Sequence, residues 1–264
     1  MLKRTILRTG AWIGLVLWLG ASCSSLPEAA RPPLRVGMTL DNPPVAMLQN
    51  DLPAGLEYDF AVALSRELGR PLEIVELAWN QQLDFLVTGK IDIIMSGMSI
   101  TPARMVRVAF CDSYMRDPLV AVTRRGEAGQ YASAEEVLQS TLNIGVIRQT
   151  TSDAFARRNL LAGKIIPMVE REDVAFTLSN QRIDLFIDDF SAAMELVSRH
   201  ETRLEIIPHI LHEQELAWAL RPEDEVLREK VNAILARWRG DGTLERMLNH
   251  RLPYRRVWLE AYNE

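Results

Sequence analysis

Two stretches of the chain, "GKIDIIMSG" (89–97) and "NQRIDLFIDD" (180–189), follow one plan: an apolar run, preceded by an amphipathic segment, ends in polar residues. A short apolar run bounded by turn residues reads as a strand buried on both faces, and such strands belong to parallel sheets covered by helices. The upstream segments agree. In the first half "LRVGMT" (34–39) is strand-like, "EYDFAVALSRELG" (57–69) has helical periodicity, "LEIVEL" (72–77) is strand-like, and "NQQLDFLVTG" (80–89) is a helix ending on Gly89. The second half opens at "SAEE" (133–136), with capping-box spacing. It continues through "LNIGVI" (142–147), the helix "SDAFARRNL" (152–160), "KIIPMVE" (164–170) and the helix "EDVAFTLSNQ" (172–181). This alternation predicts an α/β chain of two lobes, each an open, mostly parallel, doubly wound sheet. The polar strand ends collect at the carboxyl edges of the sheets, where such sheets bind ligands, and two facing edges make a cleft. "PLVAVTR" (118–124) and "IPHILHEQELAWAL" (207–220) read as extended crossings. Lobe 1 is expected over 34–121 and 214–264, and lobe 2 over 122–213. The C-terminal helices, from about Glu223 to Leu252, are broken by the turn "GDG" (240–242).

The amino terminus reads differently. Lys3, Arg4 and Arg8 precede the uncharged "AWIGLVLWLGA" (11–21), which is short for a membrane span and has the layout of a signal peptide over 1–22. "LGAS" before Cys23 resembles the bacterial lipobox, so Cys23 is expected to be lipidated. "SSLPEAARPP" (24–33) then completes a lipid-anchored tether over 23–33. An ordinary secretory leader and an uncleaved anchor are the alternatives. With Cys23 lipidated, Cys111 stands alone and reads as a small core residue. The formal charge of −5 and the lack of a basic stripe exclude a nucleic-acid partner. His209 and His212 in "HILHE" lack zinc-protease spacing, and "GMSIT" (97–101) is not a serine-nucleophile elbow. No metal and no cofactor is expected.

The strand end "SGMSITPAR" (96–104) carries the chemistry. Glycine and small hydroxyl residues let backbone approach a ligand closely. Thr101 and Pro102 read as N-cap and first helical residue, and a helix N-terminus favours anions. Arg104 then offers a planar fork of donors to a carboxylate or phosphate.

Residues 34 to about 252 resemble the type 3 family of bacterial extracellular solute-binding proteins, the periplasmic amino-acid receptors of ABC importers. The resemblance rests on "LRVGMT", the proline pair 43–44, "GLEYDFAVALSRELG" (55–69), "GKIDIIMSGMSITPARMVRVAFCDSY" (89–114), "IGVIRQTTSDAFA" (144–156), "QRIDLFIDD" (181–189) and "GDGTLERML" (240–248). It implies that Arg104 takes the α-carboxylate of an amino acid, helped by backbone groups of Gly97 and Ser99, with Ser96 beside them. Thr150 and Thr151 add N–H and hydroxyl groups from the other lobe, and Asp189 accepts the ammonium. Asp184 and Asp188 are weaker acids, expected to cap or face solvent. The aromatic usual before the proline pair is Asn42 here, Trp79 matches a second aromatic wall, and Gln149 replaces the usual glycine. Those departures point to a polar amino acid. The implied partners are that ligand, an ABC permease of the inner membrane and, through Cys23, the membrane itself. The implied protein is a monomer in the periplasm or cell envelope.

Two other functions stay open. "SYMRD" (113–117), "FARRNL" (155–160) and "ELAWALRP" (215–222) resemble periplasmic cyclohexadienyl (prephenate or arogenate) dehydratases. Those enzymes place a glutamate, as general acid, where this chain has Ala192, and Glu195 lies one helical turn further. A positioned acid contributes typically ~10²–10⁴-fold, so its absence argues against that reaction. A ligand-sensing receptor uncoupled from transport would use the same cleft.

Overall fold

The computed structural model describes residues 31–160, 162–169 and 171–255. The leader, Cys23 and the tether up to residue 30 lie outside the described residues. No helix among the described residues is long and apolar enough to cross a membrane.

The first lobe opens with β1 (Leu34–Met38), then a small antiparallel sheet of β2 (Asp41–Asn42), β3 (Ala46–Gln49) and β4 (Leu52–Ala54), then α1 (Leu56–Leu68). After β5 (Leu72–Glu76) comes a single 3-10 turn at Trp79–Gln81, where a continuous helix was expected. The α-helix proper, α2 (Gln82–Val87), starts only there. β6 (Ile93–Ile94), the four-residue α3 (Pro102–Met105), β7 (Ala109–Phe110) and β8 (Met115–Arg116) follow. The second lobe holds β9 (Leu119–Arg124), α4 (Ala134–Gln139), β10 (Asn143–Ile147), α5 (Thr151–Asn159), β11 (Lys164–Met168), α6 (Val174–Ser179), β12 (Leu185–Asp189), α7 (Phe190–Arg199) and β13 (Leu204–His212). The chain returns through β14 (Glu215–Leu216) and β15 (Ala219–Leu220), and ends in α8 (Glu225–Gly240) and α9 (Thr243–Arg251).

Each lobe is built on one five-stranded sheet, ordered β5-β1-β6-β15-β7 and β11-β10-β12-β9-β13. Three strands of each are parallel neighbours, the remaining pairings are antiparallel, and both sheets are therefore mixed. The segments expected as crossings are mostly strands: β9 and β13 lie in the second sheet and β15 in the first. The links between lobes are short and run side by side, β8 against β14, with the Asp117 N–H donating to the Gln214 carbonyl (3.1 Å).

Helix α1 shows how sequence sets packing. Phe60, Leu64 and Leu68 recur every four residues and form one buried stripe, and Gly69 closes the helix in the left-handed region at φ 61°. Phe60 meets Tyr114 and Trp218 edge-on and stacks near Trp238, with centroids 5.3, 5.5 and 6.3 Å away. Truncating such a residue costs about 3–5 kcal/mol. On the other face of the sheet Leu77, Leu86, Ile91, Ile94, Met98 and Val108 form a separate cluster. Cys111 is buried, as expected, and burial pushes its thiol up to about 12.

Candidate functional site

The carboxyl ends of β1, β5 and β6 face those of β10, β11 and β12 across a cavity of about 280 Å³. Of the residues singled out from the sequence, Asn42, Trp79, Ser96, Gly97, Ser99, Gln149, Thr150, Thr151 and Asp189 line it. Arg104 stands beside it. Its Nη1 donates to the Ser99 carbonyl (2.7 Å) and its guanidinium lies 5.2 Å from the centre of the Trp79 ring. Burial lowers the Arg104 pKa to about 10 while Asp189 pulls it back up, so the side chain remains a cation at neutral pH.

Local sequence explains the first-lobe wall. The Thr101 side chain caps α3 by accepting the Arg104 N–H (3.3 Å), and Pro102 supplies the first turn, as the motif predicts. Gly97 sits at φ 66°, and a Cβ there would come within 3.0 Å of Val45. The Gly97 N–H is already engaged: it donates to Glu57 Oε1 (2.6 Å). Glu57, fully buried, also accepts from Tyr114 Oη (2.6 Å) and Trp218 Nε1 (2.8 Å). Burial raises its pKa and these three donors oppose the rise. The Ser96 hydroxyl is likewise engaged: it accepts from the Thr39 N–H (2.9 Å) and from Gln82 Nε2 (3.0 Å). Asn42 Oδ1 is buried with no partner among the described residues.

The second-lobe wall is the N-terminus of α5 and the end of β12. Thr150 caps α5 through the Asp153 N–H (3.4 Å), and its own hydroxyl donates to the Ile147 carbonyl (2.7 Å). Gln149 adopts φ 63°, held by its N–H to Asp153 Oδ2 (3.0 Å). Its carbonyl accepts from Trp79 Nε1 across the cleft (3.0 Å). Trp79 is thus a bridge between lobes as well as a wall.

Sequence reasoning missed the charges behind this wall. Asp188 neither caps nor faces solvent: it is buried and takes Arg171 Nε (2.9 Å) and Nη2 (3.4 Å). Arg171 lines the cavity, and its Nη1 lies 3.8 Å from Asp41 of the first lobe. Burial works against the Arg171 charge, but Asp188 holds its pKa above the ordinary value. Asp189 is buried at the N-cap of α7, where Gln214 Nε2 donates to its Oδ1. Burial, then repulsion from Asp188 and Asp117, raise the Asp189 pKa well above the carboxylate range, against Arg171 and the Gln214 bond. Asp117 is raised to about 6 by burial and by Asp188, although Ser191 donates to it twice (2.9 and 2.6 Å). Asp184 is structural, accepting from the Asn143 N–H (3.0 Å) and Arg124 (3.3 Å). No group of three or more His, Cys, Asp or Glu side chains among the described residues is arranged to hold a metal ion.

A concave site at the facing strand ends of two α/β lobes, lined with both signs of charge, defines a two-lobed periplasmic binding protein. The profile of the bacterial extracellular solute-binding proteins, family 3, matches residues 34–251, and the chain belongs to that family. It is 26% identical to the L-cystine-binding protein TcyJ of Escherichia coli (strain K12), over 81% of this chain and 80% of that protein. It is 28% identical to the cyclohexadienyl dehydratase of Pseudomonas aeruginosa, over 80% and 78%. The crystal structure of the P235GK mutant of ArgBP from T. maritima superposes with a TM-score of 0.75 at 27% identity, covering 83% of this chain and 95% of that one. The chain's role is therefore that of a solute-binding protein, with relatives among amino-acid binders and also among enzymes.

Proposed function

We propose that this protein is the substrate-binding component of an ABC-type importer, capturing a polar amino acid by lobe closure and presenting it to a permease. The observation that carries the proposal is one cavity with Arg104 beside it on one lobe and Asp189 inside it on the other. A guanidinium and a carboxylate on opposite walls make a dipolar clamp for a zwitterion, each charge-assisted bond contributing roughly 1.5–3 kcal/mol. The ligand α-carboxylate takes Arg104 and the free N–H groups of the α5 N-terminus, and its ammonium takes Asp189. Closure gains contacts that the open form lacks, which is what shifts the population. Beside the aromatic face of Trp79, the walls at Asn42, Gln149 and Arg171 are polar or charged, which supports a polar side chain on the ligand. Lobe 1 over 34–121 and 214–264 and lobe 2 over 122–213, with the first boundary drawn back to Pro118 because β9 pairs with β12 from Leu119 onward, lipidation at Cys23, a tether over 23–33 and a monomeric, envelope-anchored state complete the proposal.

The dehydratase alternative is less well supported. Ala192 stands where that reaction needs its acid, and Glu195 binds Arg199 (2.8 Å) beside a different cavity. Thermal unfolding against the amino acids, L-cystine, prephenate and arogenate tests both readings. A ligand at 100 times its Kd adds about 2.7 kcal/mol of stability. Stabilisation by one or a few amino acids is expected. Stabilisation by prephenate or arogenate alone, followed by turnover, would replace the receptor by an enzyme.

A further inference from the structure

Asp189 occupies the N-cap of α7 but makes no side-chain capping bond. An N-cap aspartate ordinarily accepts an N–H of the next turn. Here another residue does that work: Asp117, on the outgoing crossing, takes the Ser191 N–H (2.9 Å) and hydroxyl (2.6 Å). The Asp189 carboxylate is left to the return crossing, where Gln214 Nε2 donates to Oδ1. The crossings are themselves tied, Asp117 N–H to Gln214 carbonyl (3.1 Å). Gln214 is buried, and its Oε1 has no partner among the described residues, so among them Asp189 is the amide group's side-chain partner.

We propose that Gln214 is a positioning residue for the ligand-binding acid, fixing the Asp189 carboxylate from the hinge and favouring the ionised form that an ammonium requires. The proposal rests on Asp189 being the ammonium acceptor. A donor to a carboxylate stabilises its charged form. The other charges facing Asp189 are Asp188 on its own strand, Asp117 on the outgoing crossing, Arg171 before α6 and Arg104 across the cleft. Arg171 is shared with Asp188 and Asp41, and the carboxylates of Asp188 and Asp117 crowd Asp189. Gln214 is the neutral group that holds Asp189 in place without adding to that repulsion. It also ties the acid to the point about which the lobes turn.

The test uses Gln214→Met, Asp189→Asn and the double variant. The probes are the twenty amino acids and L-cystine, with affinities measured by calorimetry for those that stabilise the wild type. Gln214→Met is expected to weaken binding roughly 10- to 100-fold. It adds nothing in the Asp189→Asn background. A second readout needs no ligand. In thermal unfolding between pH 4 and 8, the loss caused by Gln214→Met is largest where Asp189 is ionised, shrinks on acidification, and becomes independent of pH when Asp189 is Asn. Additive effects in the double variant, or a pH-independent loss in both backgrounds, would reduce Gln214 to a packing residue and overturn the proposal. Wild-type affinity in Asp189→Asn would overturn the acceptor assignment instead.

Discussion

The two walls of the cavity are built on opposite electrostatic plans. On the first lobe most polar groups are already partnered, Gly97 to Glu57, Ser96 to Thr39 and Gln82, Arg104 to Ser99, with Asn42 Oδ1 an exception among the described residues. Beside the cavity it places the Arg104 cation, which stays charged at neutral pH. On the second lobe Asp188 and Asp189 are buried beside Arg171, with Asp117 of the outgoing crossing buried behind them, and Asp117 and Asp189 titrate above their ordinary range. The first lobe is therefore a preorganised anion seat whose properties change little with pH. The second is an unbalanced acid cluster that, on the proposed function, a ligand ammonium would complete.

The sharpest break in this contrast is Arg104→Ala. It removes the first-lobe cation beside the cavity and is expected to weaken amino-acid binding at least 100-fold by calorimetry, the upper end of a bidentate charge-assisted pair. Asp184→Asn, at a structural acid outside the cavity, leaves affinity unchanged. Next in size is Glu57→Ala. The N–H of Gly97, the hydroxyl of Tyr114 and the indole N–H of Trp218 then lose their common acceptor in a buried place. Each buried orphan costs about 1–3 kcal/mol, so unfolding free energy falls by roughly 3 kcal/mol or more in denaturant titration.

The acid cluster makes a prediction of the other kind. The Asp117 pKa is about 6 in the folded chain, against roughly 3.9 when unfolded. Between those values the folded chain keeps a proton that the unfolded chain has lost, so this group's contribution to stability falls as pH rises from about 4 to about 6, then levels off. Asp117→Asn removes that slope. For binding the sign reverses: an ammonium needs Asp189 ionised, so affinity falls as pH falls through the range where Asp189 titrates, and binding in that range releases a proton. Calorimetry in buffers of different ionisation enthalpy measures the release. Asp117→Asn also removes repulsion on Asp189 and moves the acid limb of binding to lower pH. An unmoved limb would mean that the cluster does not act on the ligand.

How far the sequence showed this contrast differs between the walls. The strands, most of the helices and the Thr101–Pro102–Arg104 turn were legible because their signals are local: apolar periodicity, a cap, a first-turn proline. Glu57 was not, because in "GLEYDF" it looks like any first-turn acid. Its partners lie 40, 57 and 161 residues away, and only the folded sheet brings them together. The same holds for Arg171 with Asp188, and for Gln214 with Asp189. The family resemblance named Asp189, but nothing local said that its neighbours would be two more acids and a hinge amide. The short strand β6 and the 3-10 turn at Trp79 were blurred for another reason. Propensity placed a helix or strand there, while tertiary contacts decided its length.

Trp79 is where the two walls touch, and the smallest of the expected effects tests that contact. Its ring lies against Arg104 on its own lobe while its Nε1 donates to the Gln149 carbonyl on the other. Trp79→Phe keeps an aromatic face for the guanidinium and removes only the cross-cleft bond. A neutral hydrogen bond contributes about 0.5–1.5 kcal/mol, so affinity should fall about 2- to 10-fold, mostly as faster release, because the lost bond stabilises the closed form. Trp79→Ala removes the face as well and should cost more, since Arg104 then loses the surface it packs on. Equal losses in the two variants would make the cross-lobe bond, and not the support of Arg104, the whole contribution of this residue.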